Sequence, residues 1–154
     1  MTAPTLSKLA AQEARLQFDA FDHDTAWALG SAMVQAARDA RLPITIDIRR
    51  NGHQLFHAAL AGTAPDNDAW IRRKTRVVDR FGHASLQVGE AARQAGTTFE
   101  AQMRLDPDRF AAHGGAFPLT IRGTGVVGTI TVSGLPQVED HAFVVAQLEA
   151  FLGV

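Results

Sequence analysis

A histidine follows two carboxylates at Glu139-Asp140-His141, and a second histidine opens the run His113-Gly114-Gly115. Imidazole changes charge near neutral pH, so either histidine suits a ligand or a proton carrier. Paired glycines let a backbone bend sharply, or bring N–H groups close to an anion. Each motif also has a plainer meaning. Acids in the first turn of a helix offset its dipole, and a His-Gly-Gly turn can simply sit in solvent. If the 113–115 turn packs near the last helix, His113, His141 and one acid converge, and a metal site of two histidines and a carboxylate becomes conceivable. The sequence alone assigns no metal.

Arg72, Arg76 and Arg80 repeat every four residues, with Arg73, Lys74 and His83 nearby. They form a basic helix face opposite Trp70, Val77 and Phe81. Such a face is either solvated, with Asp79 offsetting part of its charge, or a dock for carboxylates or phosphates, which suit the arginine fork. Gly123-Thr124-Gly125-Val126-Val127-Gly128 spells G-x-G-x-x-G, but a dinucleotide site needs a helix to begin inside that motif. Here an alternating strand runs on to Val132, so a hairpin turn is the better reading. No G-x-S-x-G, H-E-x-x-H or P-loop lysine is present, and there is no tyrosine or cysteine. Disulfides, thiolate metal sites and cysteine nucleophiles are thereby excluded.

The chain has 154 residues, 46% of them hydrophobic and 20% charged, which suits one globular domain over residues 1–154. Fifteen basic and sixteen acidic side chains give a net charge of −1. A general nucleic-acid binder carries a basic excess, so no nucleic acid is expected. The longest apolar run is Ala142 to Ala146, too short for a bilayer. No membrane partner is expected, and a cytoplasmic location is the simplest reading.

The elements that must position these residues can be read along the chain. Thr5 or Ser7 caps a short helix ending near Glu13 or Arg15, and Leu16 to Phe18 reads as a short strand. Asp22 caps a helix with Ala26, Leu29, Met33 and Ala40 on its apolar face, stopped by Pro43. Ile44, Ile46 and Ile48 alternate with Thr45, Asp47 and Arg49, and Asn51-Gly52 then suits a tight type I′ hairpin. The return strand is Gln54 to Ala59. After a loop over 62–67, Asp66 or Asn67 caps a long helix, with a break expected near Gly82–Ser85. Gly96 ends that stretch, and a short helix follows from Thr98 to Leu105. A second hairpin pairs Phe117 to Ile121 with Val126 to Ser133. Pro136 opens the last helix at its N1 position, with Val138, Ala142, Val145, Leu148 and Leu152 as its buried stripe. Two hairpins and an edge strand predict an α+β fold around a five-stranded antiparallel sheet. Its polar face would carry Thr45, Asp47, Arg49, Thr120, Arg122, Thr129, Thr131 and Ser133. That face is either solvated or lines a ligand pocket or subunit interface.

The segments LPITIDIRRNGHQLFHAALAGTAPDNDAWIRRKTRVV and HGGAFPLTIRGTGVVGTITVSGLPQVEDH resemble the haem-degrading-domain or GlcG-like family. More narrowly, they resemble its small branch shared by bacteria and fungi. The resemblance runs from about Leu6 to the C-terminus. It implies a profilin-like α/β/α sandwich with a five-stranded antiparallel sheet, and a homo-oligomer built from dimers. The leading functional reading is a binding module for a small anionic ligand, with haem itself one candidate. Trp70 would supply an apolar wall, and Arg73 and Lys74 would hold carboxylates. Gly114 and Gly115 would admit the ligand closely, His113 or His141 would coordinate it or shuttle protons, and Asp140 would orient a histidine. An enzyme acting on a small organic acid or tetrapyrrole through the same histidines is the second reading. An oligomeric adaptor without a small ligand is the third.

Overall fold

Asn51 and Gly52 both take positive φ, 51° and 78°, and turn β1 (Thr45–Arg50) tightly into β2 (His53–Ala59). A second turn at Gly123 joins β3 (Ala116–Ile121) to β4 (Gly125–Ser133). The two hairpins meet along β1 and β4, giving an antiparallel sheet in the order β2-β1-β4-β3. These relations come from a computed structural model describing residues 1–154.

The helices are α1 (Leu6–Arg15), α2 (His23–Asp39), α3 (Pro65–Phe81), α4 (Ser85–Gln94), α5 (Phe99–Met103) and α6 (Gln137–Leu152). The fold is α+β, a four-stranded antiparallel sheet flanked by helices. The expected fifth strand is reduced to one parallel bridge between Phe18 and Ile121. Phe18 N donates to Thr120 O and Phe18 O accepts from Arg122 N, and no other backbone bond joins the α1–α2 connection to the sheet.

The two faces of the sheet are buried differently. Ile46, Ile48, Phe117, Leu119, Ile130 and Val132 pack against α2 and α6 in one apolar core with Leu29, Met33, Val144 and Leu148. The other face, neither solvated nor left open for a partner at its centre, lies under α3. Thr45, Asp47, Thr129, Thr131 and Ser133 are all buried there. Only its margin reaches solvent, where Arg122 Nε donates to Asp19 Oδ1 at 3.1 Å.

α3 begins earlier than its acidic residues suggest. Pro65 occupies the first turn, and Asn67 Oδ1 reaches back to accept the Ala64 N–H at 2.9 Å. Gly82, at φ 72°, ends the helix as a left-handed C-cap. The stripe of α3 toward the sheet is Ile71, Lys74, Thr75 and Val78, while Val77 is buried in a second small cluster with Val88, Ala92 and Phe99. Lys74 therefore leaves the solvated arginine face and is buried. The stripe of α6 is also rotated. Asp140, His141, Val144, Val145 and Leu148 are its buried residues, and Val138 and Ala142 are only partly covered.

Candidate functional site

Lys74 lies at the centre of the arrangement. It projects from the inner face of α3 toward the end of β4, with its side chain 3% exposed. Its Nζ donates to Val132 O at 2.7 Å, to Gly114 O at 3.0 Å and to Asp140 Oδ2 at 3.3 Å. An ammonium has three hydrogens, and all are used. The other oxygen of Asp140 accepts the Leu135 N–H at 3.0 Å. Burial pulls the Lys74 ammonium below its usual pKa, opposed by Asp140. Burial likewise raises the Asp140 carboxyl, opposed by Lys74 and by backbone donors. Two carbonyls and a carboxylate together call for the charged amine, so the pair is a salt bridge tying α3 to α6.

The His113-Gly114-Gly115 turn closes over this pair. Gly115 has φ 133°, a region side chains rarely adopt, and a Cβ there would run into Lys74 Nζ and Val132 O. Gly114 N donates to Gln137 Oε1 at 3.0 Å, so the turn is pinned to the first turn of α6. The glycines thus serve close packing onto the ion pair.

Above the pair opens a cleft of about 250 Å³. Asn67 and Trp70 form its α3 wall, Ser133 and Gln137 the opposite wall, and His113 its rim. Trp70 and His113 pack ring to ring, with centroids 5.0 Å apart. The Arg73 guanidinium lies 4.4 Å from the Trp70 ring centroid, and its Nε donates to Pro107 O at 3.1 Å. This stacking leaves the other guanidinium hydrogens free. Partial burial lowers the His113 pKa; Glu100 opposes the shift, and Lys74, Arg73 and Arg93 add to it. His113 is therefore a neutral imidazole at neutral pH, able to donate and accept. The first turns of α3 and α6 both contribute walls, so two helix N-termini favour negative charge nearby, with Asp66 and the first-turn acids of α6 partly offsetting them.

Five of the eight candidate residues line this cleft: Trp70, Lys74, His113, Gly114 and Asp140. Arg73 stands one layer out, stacked on Trp70 but outside the lining, and Gly115 lies against Lys74 beneath. Lys74 is not free to hold a ligand carboxylate as expected, because its hydrogens are consumed. Asp140 orients that lysine and no histidine. His141 is elsewhere. Its ring packs on Phe117, its Nε2 lies 2.8 Å from Gln12 Oε1, and its Nδ1 has no partner. Burial alone lowers its pKa to about 4. The two histidines do not converge, and no three His, Cys, Asp or Glu side chains come together as a metal site.

Gln137 has no signal in the sequence, Asn67 reads only as a cap, and Ser133 belongs to the polar sheet face whose alternative reading is a pocket lining. Asn67 both caps α3 and reaches Ser133 Oγ at 3.4 Å across the cleft. A cap-forming amide near Trp70, about two helical turns before Lys74, was the available signal.

Residues 21–149 match the family described as haem degrading protein HbpS-like. A UPF0303 protein of Streptomyces coelicolor is 62% identical over 99% of this chain and 96% of its own length. The crystal structure of the Ybr137w protein superposes with a TM-score of 0.88 at 35% identity, covering 97% of this chain and 88% of that one. The crystal structure of HbpS superposes with a TM-score of 0.68 at 21% identity, covering 90% and 94%, a likeness of fold.

Proposed function

This chain belongs to the HbpS-like family, and we propose that it acts there as a binding module for a small polar anion, held in the Trp70–His113 cleft. One observation carries the reading. The cleft joins an aromatic wall and fixed amides, at the N-termini of two helices, over a floor whose charges are already satisfied. A satisfied, buried floor is rigid, and a rigid floor lowers the ordering cost of binding. Trp70 lines the cleft and offers apolar ring surface to the ligand. The N-termini of α3 and α6 favour an anionic group in the cleft, and Arg73, one layer out, adds positive charge behind Trp70. Asn67, Ser133 and Gln137 supply directional hydrogen bonds, and neutral His113 adds one more.

The family's name raises haem, and the residues of this cleft do not fit it. A porphyrin needs two broad apolar faces, whereas only two of the eleven lining residues are hydrophobic. The volume of about 250 Å³ also lies below the usual range for drug-sized ligands, roughly 300–1,000 Å³. The ligand is a small, largely polar molecule.

Native mass spectrometry of protein purified from cells tests this. The wild type should retain a defined small mass that Trp70→Ala and Gln137→Ala both lose while staying folded. Bare wild-type protein, an increment equal to haem, or an increment kept by both variants would overturn the reading.

A further inference from the structure

A second cleft, of about 430 Å³, opens between α3 and the β1–β2 hairpin. Its construction starts at Asp47, which is 1% exposed. Both of its oxygens are taken: Oδ2 accepts from Arg49 Nε at 2.9 Å and Oδ1 from Gln54 Nε2 at 2.6 Å. A bulge sets the rest. The β1–β2 register shifts between Ile48 and Arg49, so Ile48 pairs with Phe56 and Arg49 with Gln54. Gln54 and His57, three residues apart, would face opposite ways in a regular strand. The extra residue, Leu55, puts both on the cleft wall, and bulges commonly re-aim side chains in this way beside functional sites.

The other wall is α3. Asp68 Oδ1 accepts from His57 Nε2 at 2.7 Å, fixing that ring. Arg72 stands one turn further along, exposed and without an ion-pair partner. Every polar side chain on these walls except Arg72 is held by another, and each held group keeps unused capacity. Arg49 keeps the hydrogens of both Nη atoms. Gln54 Oε1 and Asp68 Oδ2 remain as acceptors. Arg72 has no ion-pair partner and Arg49, though paired to Asp47 through Nε, keeps its Nη edge, so the two forks facing one cleft suit a carboxylate. The acceptors beside them call for a donor on the same ligand.

We propose that this cleft binds a small carboxylate bearing a hydrogen-bond donor on the adjacent carbon, an α-hydroxy or α-amino acid. Arg49 and Arg72 take the carboxylate, while Gln54 Oε1 and Asp68 Oδ2 take the hydroxyl or ammonium. This site shares no lining residue with the Trp70 cleft and stands independently of the function proposed there.

NMR titration of the full-length protein with propionate, lactate and alanine tests it, since these differ only at the α-substituent. Lactate or alanine should give saturable shifts at Arg49, Gln54, His57 and Arg72, at least about tenfold tighter than propionate. The tighter of the two identifies the donor as hydroxyl or ammonium. Arg72→Ala, at an exposed position where alanine favours the helix, should weaken that binding about tenfold. No saturable shift, equal affinity for all three acids, shifts centred on the Trp70 indole, or an Arg72→Ala variant that binds normally would each overturn the proposal.

Discussion

The two faces of this sheet are both shielded from water, yet by opposite chemistry. Beneath α2 and α6 the strands present isoleucine, valine, leucine and phenylalanine, and no polar partner is needed. Beneath α3 they present threonine, serine and aspartate. The hydroxyls of Thr45, Thr129 and Thr131 have no hydrogen-bond partner there. Burying an unpaired polar group costs free energy, so the polar face is the worse one for stability. What it does is fix positions. Lys74 is held by three acceptors, Asp47 is held by two donors, and each supports the floor or wall of a cleft. The apolar face stabilises the chain, and the polar face organises its surface.

The largest expected effect comes from breaking the ion pair. Lys74→Met leaves Asp140 buried and unpaired, and urea unfolding should show a loss of about 3–5 kcal/mol. Adding Asp140→Leu should restore part of that loss, because it removes the unpaired buried carboxyl, while the Gly114 and Val132 carbonyls and the Leu135 N–H still lack the partners that Lys74 and Asp140 gave them. A double variant as unstable as the single one would mean the polar face does contribute stability.

His141 is the exception on the apolar side, and it sharpens the contrast. Its folded pKa of about 4 lies below the ordinary 6.5. Between those values the unfolded chain binds a proton that the folded chain refuses. Stability therefore falls as pH drops from about 6.5 to about 4, by roughly 3 kcal/mol from this group. Unfolding of His141→Gln followed across that window should fall less steeply than wild type. Parallel curves would show that the ring is not protected from protonation.

The smallest effect is expected at a threonine. Thr131→Val removes an unpartnered buried hydroxyl, so thermal unfolding should be unchanged or stabilised by up to about 1 kcal/mol. Destabilisation would mean that a water satisfies the hydroxyl.

Much of the fold was legible because its punctuation is local. Asp22 and Thr25 form the reciprocal cap of α2, Asn51-Gly52 makes its turn, and Gly82 breaks α3 from α4. The strand alternation gave both faces but not what covers the polar one. Lys74 is hard to place because residue type predicts a lysine on the surface, whereas its neighbours Ile71 and Val78 carry it inward. The rotated stripe of α6 was hidden for a similar reason: His141 and Asp140 displace Val138 and Ala142 from the interior. The candidate site was half legible. Trp70, His113 and Asp140 were found by type, while the convergence of the two histidines required a helix phase that α6 does not have. Gln137 was invisible, since its role depends on a long-range bond to Gly114.

The most direct test of the division between faces is small-molecule retention by the folded Lys74→Met/Asp140→Leu protein, compared with wild type by native mass spectrometry. The account predicts a folded protein that has lost the ligand, because the floor no longer holds the 113–115 turn. A stable double variant that keeps the same bound mass would contradict it.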